Sequence, residues 1–181
     1  MKIAIVGAGF TGLALAYWLT QNKNNEITLI DRAPIGQSTS GLAAGLLHPY
    51  RSSSFQLNWN GDICMQETLF LLQQASQALS SPCYVNSGIL RPLTSQKNWD
   101  LDTIDDIERW SKEKTTSVNH ILPIDACFLK RGVTVDCPMY LTGLFSICST
   151  AGMQFEQRAI TSINELEMFD RIAITTGAYA S

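Results

Sequence analysis

Residues 2–12 read KIAIVGAGFTG, an apolar run that leads directly into three closely spaced glycines. The run over residues 2–6 is rich in β-branched side chains and predicts a parallel strand that is covered on both faces. Apolar residues recur at helical spacing over residues 11–20, and residues 27–30 form a second apolar strand that ends at Asp31. The three segments together predict a compact βαβ unit.

Between the first strand and the helix lies a G-x-G-x-x-G turn, Gly7-Ala8-Gly9-Phe10-Thr11-Gly12. In such a turn Gly7 permits the tight bend, Gly9 lets backbone N–H groups approach a pyrophosphate, and Gly12 lets the helix pack closely on the strand. The helix N-terminus adds partial positive charge, and Asp31 is placed to accept hydrogen bonds from a ribose diol. A phosphate-binding P-loop is excluded because Leu13, not lysine, follows Gly12. The turn in this context therefore predicts a dinucleotide-binding site.

The sequence around and after Asp31 bears on which dinucleotide is bound. Asp31 would repel the 2′-phosphate of NADP, although the neighbouring Arg32 weakens that argument. Residues 37–49 read QSTSGLAAGLLHP, and the small residues at 40–45 suit a second close approach of backbone to a ligand. The hydroxyl groups of residues 38–40 are available to a phosphate, while an ordinary flexible loop is the alternative interpretation.

Four features follow one another along the chain: the glycine turn, Asp31, the segment Ser40-Gly41-Leu42-Ala43-Ala44-Gly45 leading to His48-Pro49, and Thr175-Thr176-Gly177-Ala178. In this order they resemble the FAD-dependent D-amino-acid oxidase family, which includes glycine oxidase-like proteins. The resemblance implies that Asp31 binds the adenosine ribose, and that Ser40 and residues 44–46 approach the pyrophosphate and the flavin. It also implies that backbone groups of residues 159–161 face adenine and that residues 176–177 close over the dinucleotide.

The cofactor predicted from these features is FAD, and no metal is expected beside it. The candidate FAD-binding residues are Gly7, Ala8, Gly9, Phe10, Thr11, Gly12, Asp31, Arg32, Ser40, Gly41, Ala44, Gly45, Leu46, Ile160, Thr176 and Gly177.

The remaining segments complete the predicted fold. Residues 57–79 and 138–150 have the apolar periodicity of helices, and the second is capped by Asp136 and has Pro138 in its first turn. Residues 99–114 carry many acidic side chains, which indicates the solvated face of a helix rather than a carboxylate pair for acid–base catalysis. Further strands are predicted over residues 88–93, 153–163 and 169–176.

The chain is therefore predicted to be an α/β protein with a Rossmann-like FAD-binding three-layer domain built on a parallel sheet. Residues 1–87 and 130–181 form this discontinuous and incomplete domain. Residues 88–129 form part of an inserted antiparallel substrate lobe. Within that lobe, Arg91 is expected to be solvated rather than to face a ligand cavity.

The composition excludes several classes of protein. With 45% hydrophobic residues, 16% charged residues and a net charge of -3, this 181-residue chain is not disordered and has no broad cationic surface for nucleic acid or anionic lipid. The uncharged run over residues 3–22 contains three glycines, which favours a strand, turn and helix over a membrane span. Its five cysteines are scattered and it has only two histidines, so a zinc site is not expected. Buried reduced thiols in a cytoplasmic protein are the expected arrangement.

In the family that this chain resembles, the flavin accepts a hydride from a carbon bonded to an amine, and the protein supplies orientation and electrostatics. The resemblance thus implies an oxidoreductase that acts on a small-molecule amine or amino acid. Family members are longer, and the half beyond the Thr-Gly strand holds their substrate-binding residues. We therefore expect a whole enzyme only if a complementing C-terminal polypeptide, or a continuation of this chain, supplies that half, and we assign no catalytic residue.

Three alternatives are weighed against this function. One is a non-catalytic, truncated remnant that retains part of a dinucleotide site. Another is the flavin domain of an enzyme that modifies the wobble uridine of tRNA, which residues 41–48 also resemble, although the acidic composition disfavours independent binding to tRNA. The third, a nicotinamide-dependent enzyme, is disfavoured by the small-residue segment at residues 40–45.

Overall fold

The computed structural model describes residues 1–51, 55–93, 105–110 and 126–177. Its parallel and antiparallel strands with flanking helices confirm the predicted α/β class. In chain order the elements are β1 (Lys2–Val6), α1 (Phe10–Thr20), β2 (Glu26–Asp31), β3 (Leu46–Leu47), α2 (Gly61–Leu79), β4 (Tyr84–Val85), β5 (Ile89–Pro92), β6 (Ile107–Trp110), β7 (Ala126–Leu129), β8 (Val133–Val135), α3 (Cys137–Thr150), β9 (Gln154–Gln157), a 3₁₀ turn (Ile163–Leu166) and β10 (Arg171–Ile174).

The chain divides into two compact units. The first unit consists of Met1–Ala44, Phe70–Cys83 and Asp136–Ser181, and the second consists of Gly45–Leu69 and Tyr84–Val135. The functional domains inferred from the sequence, residues 1–87 with 130–181 and residues 88–129, stay a prediction.

A parallel four-stranded sheet in the order β10-β1-β2-β9 lies at the centre of the first unit. In it Ile5 is opposite Leu29, and both side chains are fully buried. Because side chains alternate along a strand, Ala4 faces the other way, where it packs with Ile30 and Leu166. Both faces of the sheet are thus covered, which explains why β1 is apolar along most of its length.

Helices α1 and α3 pack against each other in the first unit. Asp136 caps α3 by accepting a hydrogen bond from the Met139 N–H at 3.0 Å, and Pro138 lies in the first turn. This cap confirms the predicted start of the helix. Phe10, the first residue of α1, stacks on Tyr140 of α3 with ring centroids 6.1 Å apart. The stack holds the N-terminus of α1 against α3.

Helix α2 begins at Gly61 and not at residue 57 as predicted. Leu57 instead forms an isolated antiparallel bridge with Tyr50, and the Gly61 N–H donates to the Asn58 carbonyl oxygen at 2.9 Å, which closes a turn before the helix. Asn60 adopts a positive φ of 51°, which a right-handed helix does not contain. The periodicity predicted for this helix is reflected in its burial, because Met65, Leu72 and Ala75 are buried.

The second unit contains two antiparallel sheets, in the orders β3-β8-β4 and β5-β7-β6. The helix predicted over residues 99–114 is wrong where the structure describes those residues, because β6 lies there and pairs with β7. Ile107 is buried in an apolar cluster with Leu129, whereas Glu108 is exposed, so the side chains alternate as in a strand. The rest of the predicted helix lies outside the described residues.

The sequence predicts buried, reduced thiols, and the structure shows where the cysteines lie. Of the five cysteines, all free, only Cys64 is exposed. Burial raises the pKa of Cys148 to about 11, so this thiol stays protonated and unreactive at neutral pH.

In the part of the chain that the structure describes, no helix has the length and apolar content needed to cross a membrane.

Candidate dinucleotide-binding site

A cavity of about 560 Å³ lies in the first unit where the parallel strands end. The carboxyl edge of an open parallel sheet is the usual place for a ligand, since the loops that leave the strands meet there. The predicted residues that line the cavity are Gly7, Gly9, Phe10, Thr11, Asp31, Arg32, Ser40, Ile160, Thr176 and Gly177.

Two glycines of the turn are required by the packing of the protein itself. Gly7 has a φ of +110°, and a Cβ built on it would lie 2.7 Å from the carbonyl oxygen of Thr175. A Cβ built on Gly12 would overlap the carbonyl oxygen of Gly7. Helix α1 therefore packs so closely on the turn that no side chain fits between them at Gly12, as predicted.

Gly9 differs from these two glycines because it faces a side chain and not a main chain. A Cβ on Gly9 would lie 2.7 Å from Oγ of Ser40, and among the described residues, apart from its neighbours in the chain, only Ser40 lies within 4 Å. Its φ of -81° is open to any residue, so backbone strain does not demand glycine here. The space over Gly9 opens into the cavity, which both residues line.

The N-terminus of α1 is directed at the cavity and has no side-chain cap. Gly9 is the N-cap residue of the helix, and no side chain accepts a hydrogen bond from the first turn. In α3, by contrast, Asp136 supplies such a cap. An uncapped first turn leaves N–H donors and the positive end of the helix dipole available to an anion.

Asp31 holds the glycine turn in place. One of its carboxylate oxygens accepts a hydrogen bond from the Ala8 N–H at 2.7 Å, and the other accepts one from the Ala33 N–H at 2.9 Å. Each oxygen keeps a further lone pair for another donor. The sequence pointed only to a ribose contact for Asp31, and the tie to Ala8 adds a structural role at the end of β2.

Two adjacent threonines at the end of β10 have opposite hydrogen bonding. Oγ1 of Thr175 donates to the carbonyl oxygens of Val6 and Gly7, at 2.9 and 2.8 Å. Oγ1 of Thr176 is buried on the cavity wall and has no hydrogen-bond partner among the described residues. A buried hydroxyl without a hydrogen-bond partner lowers stability, so this oxygen is a candidate for a hydrogen bond to a ligand.

The segment after β9 is organised by Glu165. One oxygen of this carboxylate accepts hydrogen bonds from the Thr161 N–H and hydroxyl at 2.8 and 2.9 Å, and from the Ser162 N–H at 2.9 Å. The other oxygen pairs with Arg158, which also pairs with Glu156. The strand predicted to continue to residue 163 therefore ends at Gln157, and a capped 3₁₀ turn follows.

The hydrogen bonds from Thr161 and then Ser162 lower the pKa of Glu165 below its ordinary value of 4.5. A carboxyl group with a lowered pKa in the folded state stabilises the fold above its unfolded pKa, and this contribution is lost as pH falls through the folded value. We therefore expect Glu165→Gln to lower Tm at neutral pH, with the difference from the wild type shrinking as pH falls below 4.5.

Thermal unfolding at a series of pH values from neutrality to below the ordinary pKa of glutamate measures this convergence. Glu167→Gln is the matched control, because Glu167 is exposed nearby and accepts none of these bonds. A Tm difference between Glu165→Gln and the wild type that does not change with pH would contradict the assigned cause.

Several predicted residues do not line the cavity. The Ala8 N–H donates a hydrogen bond to the carboxylate of Asp31. Gly41 packs so closely on Gly36 that a Cβ built on Gly41 would overlap the carbonyl oxygen of Gly36. Their assignment as cofactor-binding residues stays a prediction, as it does for the rest of the set, which is Gly12, Ala44, Gly45 and Leu46. Gly45 and Leu46 belong to the second unit.

Arg158 lines the cavity and was missed by the sequence analysis. It follows β9, the strand next to β2, and a charged residue just after a parallel strand is the signal that marks it. Among the residues that the structure describes, no group of three or more His, Cys, Asp or Glu side chains is arranged to hold a metal ion.

The cavity fits a dinucleotide on its own geometry. Thr176 presents an unsatisfied hydroxyl, α1 presents unsatisfied N–H donors, and Gly9 leaves room for close approach of a ligand to the main chain. Asp31 adds acceptor capacity for hydroxyl groups on the same wall. Fold and cavity together define the Rossmann-like class of dinucleotide-binding proteins.

Within that class, the chain belongs to the FAD dependent oxidoreductase (DAO) family, whose sequence profile matches residues 2–181. This membership confirms the resemblance stated from the sequence. It also confirms FAD, and not a nicotinamide dinucleotide, as the cofactor of the family. No curated protein sequence matches the chain.

Solved structures similar to this fold include two glycine oxidases. That of Geobacillus kaustophilus has a TM-score of 0.70 and 16% identity, over 86% of this chain and 46% of that chain. That of Bacillus cereus has a TM-score of 0.66 and 18% identity, over 88% of this chain and 48% of that chain. Iminodiacetate oxidase from a Chelativorans species has a TM-score of 0.64 and 17% identity, over 87% and 47%. The chain thus spans less than half the length of these neighbours, and identities this low show the fold alone.

Proposed function

We propose that this chain binds FAD in the cavity of its first unit and belongs to an oxidoreductase that acts on an amine or amino acid. The observation that carries the proposal is the buried Thr176 hydroxyl, which lacks a partner on the wall of a cavity beside the uncapped start of α1. A folded protein without a ligand at this place leaves polar groups unsatisfied that a dinucleotide would satisfy.

The residues proposed to hold FAD divide by the part of the cofactor that they suit. The N–H groups of the first turn of α1 suit the pyrophosphate, and Asp31 suits the adenosine ribose through its remaining lone pairs. Backbone groups near Ile160 suit adenine. Thr176 would donate its hydroxyl proton to an oxygen or nitrogen acceptor of the dinucleotide.

When bound, FAD supplies the capacity to accept a hydride from a carbon bonded to nitrogen. What this chain supplies is binding and orientation. Asp31 keeps the glycine turn closed against β2, and Glu165 orders the segment that includes Ile160. The choice of an amine or amino acid as substrate is supported by neighbours of the same fold, which are named glycine oxidase, iminodiacetate oxidase and L-amino acid deaminase.

The visible absorption spectrum of the purified chain tests the proposal. We expect flavin absorbance that stays with the protein on gel filtration and that acid releases as FAD. If the purified protein is colourless, it is mixed with FAD and then separated from unbound FAD by gel filtration. A protein that takes up no FAD in this second step would sink the proposal for this chain.

Replacing Thr176 by valine tests the hydroxyl that carries the proposal. Valine has the same shape but cannot donate, so we expect FAD to bind about tenfold more weakly. The Tm of the cofactor-free protein should not fall, because the hydroxyl has no protein partner to lose. Titration of the apoprotein with FAD, followed by fluorescence quenching, measures the first effect, and calorimetry measures the second.

Thr175→Val is the matched control. Its hydroxyl donates to two carbonyl oxygens at the turn, so this variant should lower Tm without FAD present. If Thr176→Val destabilises the apoprotein as much as Thr175→Val does and leaves FAD affinity unchanged, Thr176 has a structural role and does not bind the cofactor.

A further inference from the structure

The second unit contains an arginine in an apolar setting. Arg91 lies on β5, two residues after Ile89, so both side chains project from the same face of the strand. Ile89 belongs to a buried cluster with Phe55 and Leu129. The guanidinium carbon of Arg91 lies 4.4 Å from the ring centroid of Phe55. The prediction that Arg91 is solvated is therefore wrong, because the side chain is partly buried against that cluster.

The charge of Arg91 has no counter-ion among the described residues. Nη1 is buried and makes no hydrogen bond. The ion pairs of the second unit involve other cations, since Asp62 and Asp106 pair with Arg131 at 2.6 and 3.2 Å, and Glu108 pairs with Lys130 at 2.9 Å. A buried cationic nitrogen without a hydrogen-bond acceptor is unfavourable, so Nη1 has an unmet requirement for one.

The positive charge of Arg91 also acts on His48. Burial and then the positive charge of Arg91 lower its pKa, so the imidazole is neutral at physiological pH. Nδ1 accepts a hydrogen bond from the Tyr50 N–H at 3.3 Å. The single ring proton is therefore on Nε2, which makes His48 a donor and not an acceptor.

We propose that Arg91 binds the carboxylate of a small ligand through Nη1, with His48 as a second donor. A guanidinium recognises planar carboxylates and phosphates alike. The groups that face the Arg91 charge include the ring of Phe55, the neutral imidazole of His48 and the protonated thiol of Cys127, and none of them is charged. They favour a monocarboxylate with an apolar body, because a doubly charged phosphate costs more to remove from water. Every residue in this site belongs to the second unit, so the proposal does not depend on FAD binding in the first.

Propionate is the probe, and the Nε–Hε signal of Arg91 in a ¹H–¹⁵N spectrum of the full chain is the readout. We expect a saturable shift of that signal with propionate and none with chloride at equal ionic strength. The signal is assigned by its absence in Arg91→Gln. An equal shift with chloride, or phosphate saturating the signal more tightly than propionate, overturns the carboxylate assignment.

A second measurement tests the proposal even if Arg91→Gln folds poorly. Arg91→Met replaces an unpaired buried cation by an apolar side chain of similar length, so we expect it to fold and to be at least as stable without ligand. Saturating propionate should raise the Tm of the wild type, because a ligand that binds only the folded state stabilises it, and should leave Arg91→Met unchanged. Arg51→Met, at an exposed arginine in the same unit, should retain the rise. A rise retained in Arg91→Met overturns the proposal.

Discussion

Replacing Gly9 by valine is expected to weaken FAD binding by about 100-fold or more, which corresponds to about 2.7 kcal/mol, while the protein stays folded. The φ of -81° at Gly9 suits a valine, so the backbone needs no change. The added methyl groups would occupy the space above the turn, where the N–H donors of α1 meet the cavity. Equilibrium titration with FAD, beside a circular dichroism spectrum of each protein, measures both parts.

Ser40 provides the control for this experiment. A Cβ on Gly9 would lie 2.7 Å from Oγ of Ser40, so even Gly9→Ala moves that side chain. The double variant Gly9→Ala with Ser40→Ala removes the close contact with Oγ and leaves the Cβ of residue 40 at an ordinary distance of 3.6 Å. Because Ser40 also lines the cavity, Ser40→Ala alone is the reference for the double variant. Affinity of the double variant below that of Ser40→Ala places the effect at the cofactor, and equal affinity would show that the displaced serine caused the loss. Unchanged affinity in Gly9→Val would refute the role proposed for this glycine.

Replacing Gly12 by valine is expected to destabilise the fold itself. A Cβ at this position overlaps the carbonyl oxygen of Gly7 and lies 2.8 Å from Oγ1 of Thr175. The carbonyl oxygen belongs to the main chain of the packed turn and cannot move away without separating α1 from β1. We expect a loss of about 3 kcal/mol or more in the free energy of unfolding, and a fall in Tm of roughly 6–12 °C.

Thr11→Val is the matched control for Gly12→Val. It places the same β-branched side chain at the neighbouring position of α1, which is exposed. Its stability should stay within about 0.5 kcal/mol of the wild type. Urea unfolding of the FAD-free proteins measures both variants. A Gly12→Val variant as stable as Thr11→Val would mean that α1 shifts on the sheet at little cost, contrary to the packing described.

The parts of the fold that local sequence dictates were predicted well. Residues 2–31 form the expected strand, turn, helix and strand, because apolar periodicity and three glycines act over short distances. The cap of α3 was equally readable, since Asp136 and Pro138 carry a local signal that needs no partner elsewhere in the chain.

The errors occurred where distant residues decide the structure. At β6 the spacing of apolar residues favoured a helix, but pairing with β7 makes these residues a strand. Arg91 looked like a solvated residue because nothing beside it in sequence shows that Phe55 covers it. Arg158 was overlooked for the same kind of reason, because its place at the cavity follows from β9 lying next to β2.

The hydrogen bonds of Asp31 also affect how fast a cofactor can be captured. Because this carboxylate ties Ala8 to the end of β2 without any ligand, the proposed binding turn is held in one shape before a cofactor binds. We therefore expect association to include no step in which this turn becomes ordered, so mutations in the turn should change the association rate of FAD little. Differences in affinity among variants of this turn should therefore appear mainly in how long FAD stays bound.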